Sequence, residues 1–334
     1  LRENLHKAAH DRSDGLAAAN MGRMPTSTTD ASSSFTIRPI EDRRDPRSVS
    51  DTRAPQAAID VPRRRYPGRT GEFSSPAGLH PKPWLQRLRR ALREELFELH
   101  YQPIVSLQDG AISHYEALIR LADSPDGSLT PPFAFLPAAE RYGLIQQIDR
   151  MVIGKACALM GGELAGQAGP AAQARVAVNL SALSITDRGM LAHIERELIR
   201  NRVDPDRLVV EVTETAAIGD MRRARAFCEG VHTLGSSVAL DDFGAGFGSF
   251  QYLKRLPFRY LKIDGDFIRT LPASRKDQLV VQALVGVARG MGKQTIAEYV
   301  GDEPTIGLLR HFGVDLAQGF ELGRPRDAVE AFAL

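Results

Sequence analysis

Val238-Ala239-Leu240-Asp241-Asp242-Phe243-Gly244-Ala245-Gly246-Phe247-Gly248-Ser249 begins as an apolar run of strand type. It ends in two adjacent carboxylates followed by a glycine-rich turn. Two neighbouring negative charges are costly in a buried place unless something positive sits between them. Oxygen donors of this kind suit a hard divalent cation. Asp and Gly are equally ordinary in a solvated turn or a helix cap. Taken alone, the stretch leaves those two readings even, and the rest of the chain has to decide.

Working outward, apolar runs of strand type alternate with helical patterns. Leu85, Leu88, Leu92 and Leu96 give a first helix over Trp84 to Leu99, with charged residues between the leucines. His100 to Val105 and Ser113 to Leu121 read as the first two strands. Further strands are expected at Arg175–Leu180, Leu208–Thr213, Val238–Asp241, Phe258–Asp264, Gln294–Val300 and Leu316–Phe320. Helices are expected at Pro132–Arg141, Gln146–Leu164, Asp187–Arg200, Met221–Leu234, Asp277–Met291 and Glu303–Phe312, with a short one from Arg326. Such alternation predicts a parallel α/β architecture. The number of strands and the length favour a closed (β/α)8 barrel over an open sheet. No Gly-x-Gly-x-x-Gly follows the first strand, which weakens a dinucleotide-binding fold.

In such a barrel, chemistry collects where strands end. Polar residues stand at those points one strand after another: Glu116, Asn179, Glu211 with Glu214, Asp241 with Asp242, Lys262, Glu298 and Gln318. One of them would be a capping residue more often than a ligand. A series on successive strands converges on one mouth, which capping does not explain. No His-Glu-x-x-His or Cys-x-x-Cys is present, so zinc is disfavoured. Carboxylates with an amide oxygen suit Mg²⁺ or Mn²⁺. Asp241 can bridge two ions about 3.5–4 Å apart, an arrangement used in phosphoester hydrolysis. No Ser-His-Asp or Cys-His set competes.

The bulk composition narrows the partners. The 334 residues carry 43 Lys plus Arg against 41 Asp plus Glu, a balance that predicts no nucleic-acid polymer as partner. Cys157 and Cys228 sit in helix-like apolar segments, as buried thiols in a reducing compartment do. No apolar run reaches the length of a membrane span, and a cytoplasmic location is expected. Residues 1–80 hold 13 Lys plus Arg, 10 Asp plus Glu and no sustained periodicity, the composition of a linker or disordered segment. The folded domain is expected over 83–334. Within 5–20, Leu5, Ala9, His10, Asp11, Gly15, Leu16 and Asn20 resemble the opening of a GGDEF diguanylate cyclase domain, although Asp14 departs from the usual Thr. A relic and a coincidence are both open.

Glu116-Ala117-Leu118-Ile119-Arg120 resembles the signature of EAL-domain cyclic di-GMP phosphodiesterases. Gln102-Pro103-Ile104-Val105, Ala139-Glu140 with Gly143-Leu144-Ile145, Val178-Asn179-Leu180-Ser181, Glu211-Val212-Thr213-Glu214, Asp241-Asp242-Phe243-Gly244, Lys262-Ile263-Asp264, Ala297-Glu298 and Gln318-Gly319-Phe320 follow in the family's order. The likeness runs from about Trp84 to Pro325. It implies a modified TIM barrel with one strand reversed. It also implies hydrolysis of cyclic di-GMP to linear pGpG with Mg²⁺ or Mn²⁺, inhibition by Ca²⁺, and a homodimer. Carried over residue by residue, Glu116, Asn179, Glu211 and Asp241 resemble ligands of a first ion, and Asp241 with Asp242 serve a second. Lys262 resembles the lysine that positions the attacking water, and Glu298 the general base. Arg120 would hold a substrate phosphate; it shares a strand face with Glu116 and Leu118. Leu118, Gln102 and Gln318 would line the substrate site, and Glu214 would pin the loop of Phe243 to Ser249, which is expected to move.

Two departures qualify the family reading. The family's Ala-Glu-Gly-Val-Glu is here Ala297-Glu298-Tyr299-Val300-Gly301, which lacks the second glutamate and carries bulk where Gly is usual. Gly248 stands where Ser is common. The absent carboxylate keeps an alternative open: a weakened domain that binds cyclic di-GMP as a sensor without cleaving it.

Overall fold

The computed structural model describes residues 81–244 and 253–334. The linker reading of 1–80, the GGDEF-like opening at 5–20 and the moving-loop reading of 245–249 lie outside the described residues. Strands β1 (Phe97–Ser106) and β2 (Ile112–Leu121) form an antiparallel hairpin in which Gln102 faces Glu116. Asp109-Gly110 makes its turn. Gly110 adopts φ +74°, and the Asp109 carboxylate accepts the Ala111 N–H at 3.1 Å. Glycine reaches that left-handed conformation without a Cβ penalty.

The remaining strands are β3 (Val176–Leu180), β4 (Leu208–Thr213), β5 (Ser237–Phe243), β6 (Tyr260–Ile263), β7 (Gln294–Ala297) and β8 (Leu316–Ala317). They run parallel to β2 in sequence order, and β8 closes the barrel by pairing antiparallel with β1. β1 is therefore antiparallel to both neighbours. This is the expected modified barrel with one strand reversed.

Among the described residues, seven longer helices pack outside: α1 (Pro81–Arg93), α2 (Pro132–Arg141), α3 (Ile145–Gly161), α4 (Met190–Asn201), α5 (Met221–Thr233), α6 (Arg275–Gly290) and α7 (Glu303–Phe312). Several starts are set by side-chain caps. Asp220, Ser274 and Asp302 accept backbone N–H groups of the first turns of α5, α6 and α7, satisfying donors that a helix leaves orphaned. Among the described residues, no helix is long and apolar enough to cross a membrane.

Boundaries depart from the periodicity at particular backbone positions. The first helix stops at Arg93, not Leu99, because Glu95 takes φ 55° and turns the chain. Leu96 then accepts the Ala122 N–H, and the fully buried Phe97 opens β1 three residues before the expected His100. The leucine spacing across 92–96 is thus shared by a helix end and a strand entry. β7 ends at Ala297 rather than Val300, since Tyr299 also sits at φ 55°. β8 is a two-residue strand, shorter than the expected run to Phe320. α4 starts at Met190 rather than Asp187, whose carboxylate instead accepts the Gly189 N–H at 2.9 Å.

Ile104, Ala177, Val209, Ala239, Tyr260, Ile296 and Leu316 form a separate buried cluster, one residue from each strand except β2. From β2, fully buried His114 lies with its ring centroid 5.0 Å from that of Tyr260. Its Nδ1 meets Ser113 Oγ at 3.0 Å, while Nε2 is buried without a hydrogen-bond partner. Burial, reinforced by the positive charges of Lys262, Arg175 and Arg259, pushes its pKa down to about 3. The folded state therefore favours the neutral ring. That contribution is complete above the unfolded value of about 6.5 and is lost as pH falls towards 3. Thermal melts of wild type should fall more steeply between pH 6.5 and 4 than those of His114→Phe, by about 5 °C or more at the acid end. Parallel curves would show that His114 is not an acid-sensitive group.

Candidate active site at the mouth of the barrel

The register of the strands brings the polar series together. Glu116 lies on β2, Asn179 on β3 opposite Glu211 on β4, and Thr213 faces Asp241 on β5. Lys262 lies on β6, while Glu298 and Gln318 directly follow β7 and β8. The Lys262 ammonium is the common point. It lies 2.7 Å from Glu211, 2.8 Å from Glu298, 3.1 Å from Asp241 and 3.5 Å from Glu116. Its side chain is 1 % exposed.

Burial by itself opposes a charged lysine, but these four carboxylates outweigh it and hold the Lys262 pKa well above the ordinary value. Burial, with the neighbouring carboxylates, pushes Glu211 and Glu298 well above the carboxylate range against the pull of Lys262. Several acids packed this closely cannot all ionise around one ammonium.

Glu116 is held on both oxygens: Oε1 accepts from Asn179 Nδ2 at 2.6 Å, and Oε2 from Gln318 Nε2 at 2.7 Å. Gln318 Nε2 also lies 3.2 Å from Gln102 Oε1, and Gln102 donates to the Gly323 carbonyl at 2.9 Å. A chain of amides thus fixes the carboxylate across the β1–β2 and β8 side of the mouth. Asp242 adopts φ 54°, a conformation that Asp tolerates better than most residues, and its N–H binds Asp241 Oδ1 at 2.9 Å. Glu214, buried at the start of the short helix Glu214–Gly219, accepts the Gly244 N–H at 3.1 Å. Gly244 has φ +99°, and a Cβ there would meet the Phe267 ring at 2.6 Å. Glycine is required where the loop leaves β5.

Glu116, Asp241, Asp242, Lys262 and Glu298 line a cavity of about 530 Å³, whereas Asn179, Glu211 and Glu214 stand outside this lining. Leu118 and Arg120 continue one wall from Glu116, in line with their shared strand face. Burial lowers the Arg120 pKa and Glu116 opposes that shift. The amide pair Gln102 and Gln318 lines the cavity as well.

Two features were not legible beforehand. Asp241, Asp242 and Glu298 can each bring a carboxylate oxygen within 4.8 Å of the others. Glu298 thus stands beside the paired carboxylates Asp241 and Asp242 as well as facing Lys262. Phe133, from the segment after β2, and Phe320 stand exposed on the cavity wall. Phe133 carries no motif that would have marked it.

At the missing glutamate, Gly301 is exposed and lines the cavity, and a Cβ there would come no closer than 3.9 Å to any atom described, the Tyr299 carbonyl oxygen. Asp302 does not replace it, because its carboxylate caps α7 by accepting the Thr305 N–H at 2.8 Å.

Comparison with known proteins adds the family. The EAL domain family model matches residues 85–325. The chain is 38% identical over 249 residues to the bifunctional diguanylate cyclase/cyclic di-GMP phosphodiesterase MucR of Pseudomonas aeruginosa, across 75% of this chain and 36% of that protein. It is 37% identical to the cyclic di-GMP phosphodiesterase PdeB of Shewanella oneidensis, across 73% of this chain and 28% of that protein. It therefore spans about a third of the length of these curated relatives. Among solved structures, the MucR phosphodiesterase in complex with c-di-GMP superposes with a TM-score of 0.70 at 38% identity, over 75% of this chain and 99% of that one. The FimX EAL domain from Pseudomonas aeruginosa bound to c-di-GMP superposes with a TM-score of 0.67 at 30% identity, over 73% and 97%. The barrel with its reversed strand, the carboxylates gathered on Lys262 and the match over residues 85–325 lead to one conclusion: this chain belongs to the EAL domain family.

Proposed function

We propose that the barrel hydrolyses one phosphodiester of cyclic di-GMP to linear pGpG with two divalent cations, Mg²⁺ or Mn²⁺, and so lowers cyclic di-GMP signalling. The observation that carries this reading is the convergence of Glu116, Glu211, Asp241 and Glu298 on Lys262, which lines the same cavity as Arg120.

The donor set fits such ions. It consists of oxygen atoms, which hard cations prefer. Glu211 Oε1 is buried without a hydrogen-bond partner, as an oxygen awaiting a cation would be. Fully ionised, Glu116, Glu211, Asp241, Asp242 and Glu298 with Lys262 carry a formal charge of −4, which two divalent ions would balance. Glu116, Asn179, Glu211 and Asp241 would hold one ion, and Asp241 with Asp242 the other. When bound, the ions supply charge neutralisation for the diester oxygens.

The protein groups do the rest. Arg120, charged and on the cavity wall, pairs with a phosphate oxygen. Lys262, fixed between Glu211 and Glu298, donates to the attacking water and orients it. Glu298, 2.8 Å from Lys262 Nζ, accepts the proton of that water. Glu214 anchors the loop that continues from Asp242, and the Gln102–Gln318 amides keep Glu116 in place. A homodimer and inhibition by Ca²⁺ belong to the same reading. Incubation of the protein with cyclic di-GMP and Mn²⁺ should yield pGpG; a folded sample that yields none would refute the enzyme.

The open space at Gly301 favours one second reading, a binding module with little turnover. Gly301→Glu separates the two. A Cβ at this position meets no close neighbour, and the glutamate would add a carboxylate beside the ion-binding set. Supporting groups of this kind are worth roughly 10–100-fold in metal affinity or rate. A rise of about tenfold in turnover at limiting Mn²⁺ is expected. No rise would show that the absent glutamate does not limit this chain.

A further inference from the structure

Tyr299 is built into the mouth at some conformational cost. It sits at φ 55°, a region that bulky side chains rarely adopt. Its side chain is nevertheless 59 % exposed, so burial of the ring does not account for the conformation. Two neighbours make a place for it. Gly265 lies under the ring, where a Cβ would come within 2.2 Å of Tyr299 Cδ2. Any larger residue at 265 would push the ring away. The Arg269 guanidinium lies 4.0 Å from the ring centroid and covers one face. Arg269 in turn is held by Asp266 at 3.1 Å.

The ring lines the cavity together with Asp242, Glu298 and Gly301. Strained residues that the surroundings over-determine cluster where ligands are gripped. A glycine or asparagine would fill this backbone position with less strain, so the ring itself is what the site retains. Its place along the chain narrows the ligand. Tyr299 directly follows Glu298, so the two Cα atoms are about 3.8 Å apart. A nucleotide whose phosphate lies at Glu298 brings the attached base within reach of the next residue's ring. Base–aromatic stacking is sequence-tolerant in origin, yet a purine offers the larger face, and an arginine on the far side strengthens such a platform.

We propose that Tyr299, seated over Gly265 and backed by Arg269, is a specificity-determining residue that stacks on one purine base of a bound cyclic dinucleotide. This rests on the cyclic di-GMP reading above.

Steady-state hydrolysis of cyclic di-GMP with Mn²⁺ tests it, with cyclic di-UMP as the pyrimidine comparison. Tyr299→Leu and Tyr299→Gly should raise KM for cyclic di-GMP about tenfold, the low end of a lost stacking contact, with kcat within about threefold. They should also narrow the preference for the purine substrate. Tyr299→Phe, which keeps the ring, should restore KM relative to the Leu variant, and Arg269→Ala should fall between. Tyr299→Gly suits the backbone at this position, so its fold is secure. An unchanged KM and purine preference in both the Leu and Gly variants would overturn the stacking role while wild type still turns over. A loss confined to kcat would also overturn it, since Tyr299 would then act by positioning Glu298. A wild-type protein that neither binds nor cleaves cyclic di-GMP would remove the functional reading itself, and this inference with it.

Discussion

Glu298→Gln is expected to lower kcat for cyclic di-GMP about a thousandfold, within the range for loss of a general base, and to leave substrate affinity within about threefold. The substitution is nearly isosteric. The Gln oxygen can still accept from Lys262, 2.8 Å away in the native protein. What disappears is the capacity to take a proton from water. A loss in kcat with little change in binding marks an interaction made in the transition state. Glu298 also lies within the Asp241 and Asp242 group, so a second contribution has to be separated. If the residue acted chiefly as an ion ligand, raising Mn²⁺ would recover much of the rate. The base role predicts that saturating Mn²⁺ leaves the deficit in place. A variant retaining a tenth or more of wild-type kcat would refute Glu298 as the base. Calorimetric titration of the Glu298→Gln variant with cyclic di-GMP reports affinity without kinetic assumptions.

How much of this was legible in the sequence depends on what each feature requires. The barrel required only that apolar strands alternate with amphipathic helices, and that pattern is strong. The candidate site was legible as a series because one polar residue at the end of each strand survives as a break in an apolar run. The physical cause of the reversed β1, a tight Asp109-Gly110 turn with Gly110 at φ +74°, is a local signal that many loops share. The direction of that strand was therefore reached through resemblance. Element ends were hidden where single residues enter the left-handed region. Glu95 and Tyr299 do so without being glycine, and nothing in their identity announces it. The division of labour at the mouth depends on distances between side chains remote in sequence. Glu211 and Lys262 are 51 residues apart and 2.7 Å from each other, and only the closed barrel makes one ammonium serve four carboxylates. Phe133 reaches the cavity from outside every motif, and its role as wall follows from packing alone.

Lys262→Met should lower the melting temperature of the ion-free protein by about 10 °C and abolish turnover. Lys262 is the positive group shared by Glu116, Glu211, Asp241 and Glu298, and it is almost fully buried. Removing one partner of a buried charge set typically costs about 3–5 kcal/mol, because the remaining charge is left uncompensated. In a domain of this size, each kcal/mol is about 2–4 °C. Methionine matches the length of the aliphatic stem, so the loss reports charge rather than a void. Protonation limits the damage. Glu211 and Glu298 are already pushed well above the ordinary carboxylate range, first by burial, and without the ammonium they rise further. A carboxylate whose folded pKa exceeds its unfolded one stabilises the fold below the unfolded value, and loses that contribution as pH rises through the folded pKa. The penalty in Lys262→Met should therefore deepen as pH rises above the ordinary carboxylate range. Divalent ions act in the opposite direction. An ion that binds only the folded state stabilises it in proportion to its saturation, and in the variant it also takes over the counter-charge. Mn²⁺ should raise the melting temperature of Lys262→Met by more than it raises that of wild type. Equal melting temperatures in EDTA, or equal increments with Mn²⁺, would show that Lys262 does not hold the carboxylates together, whatever its part in orienting the water.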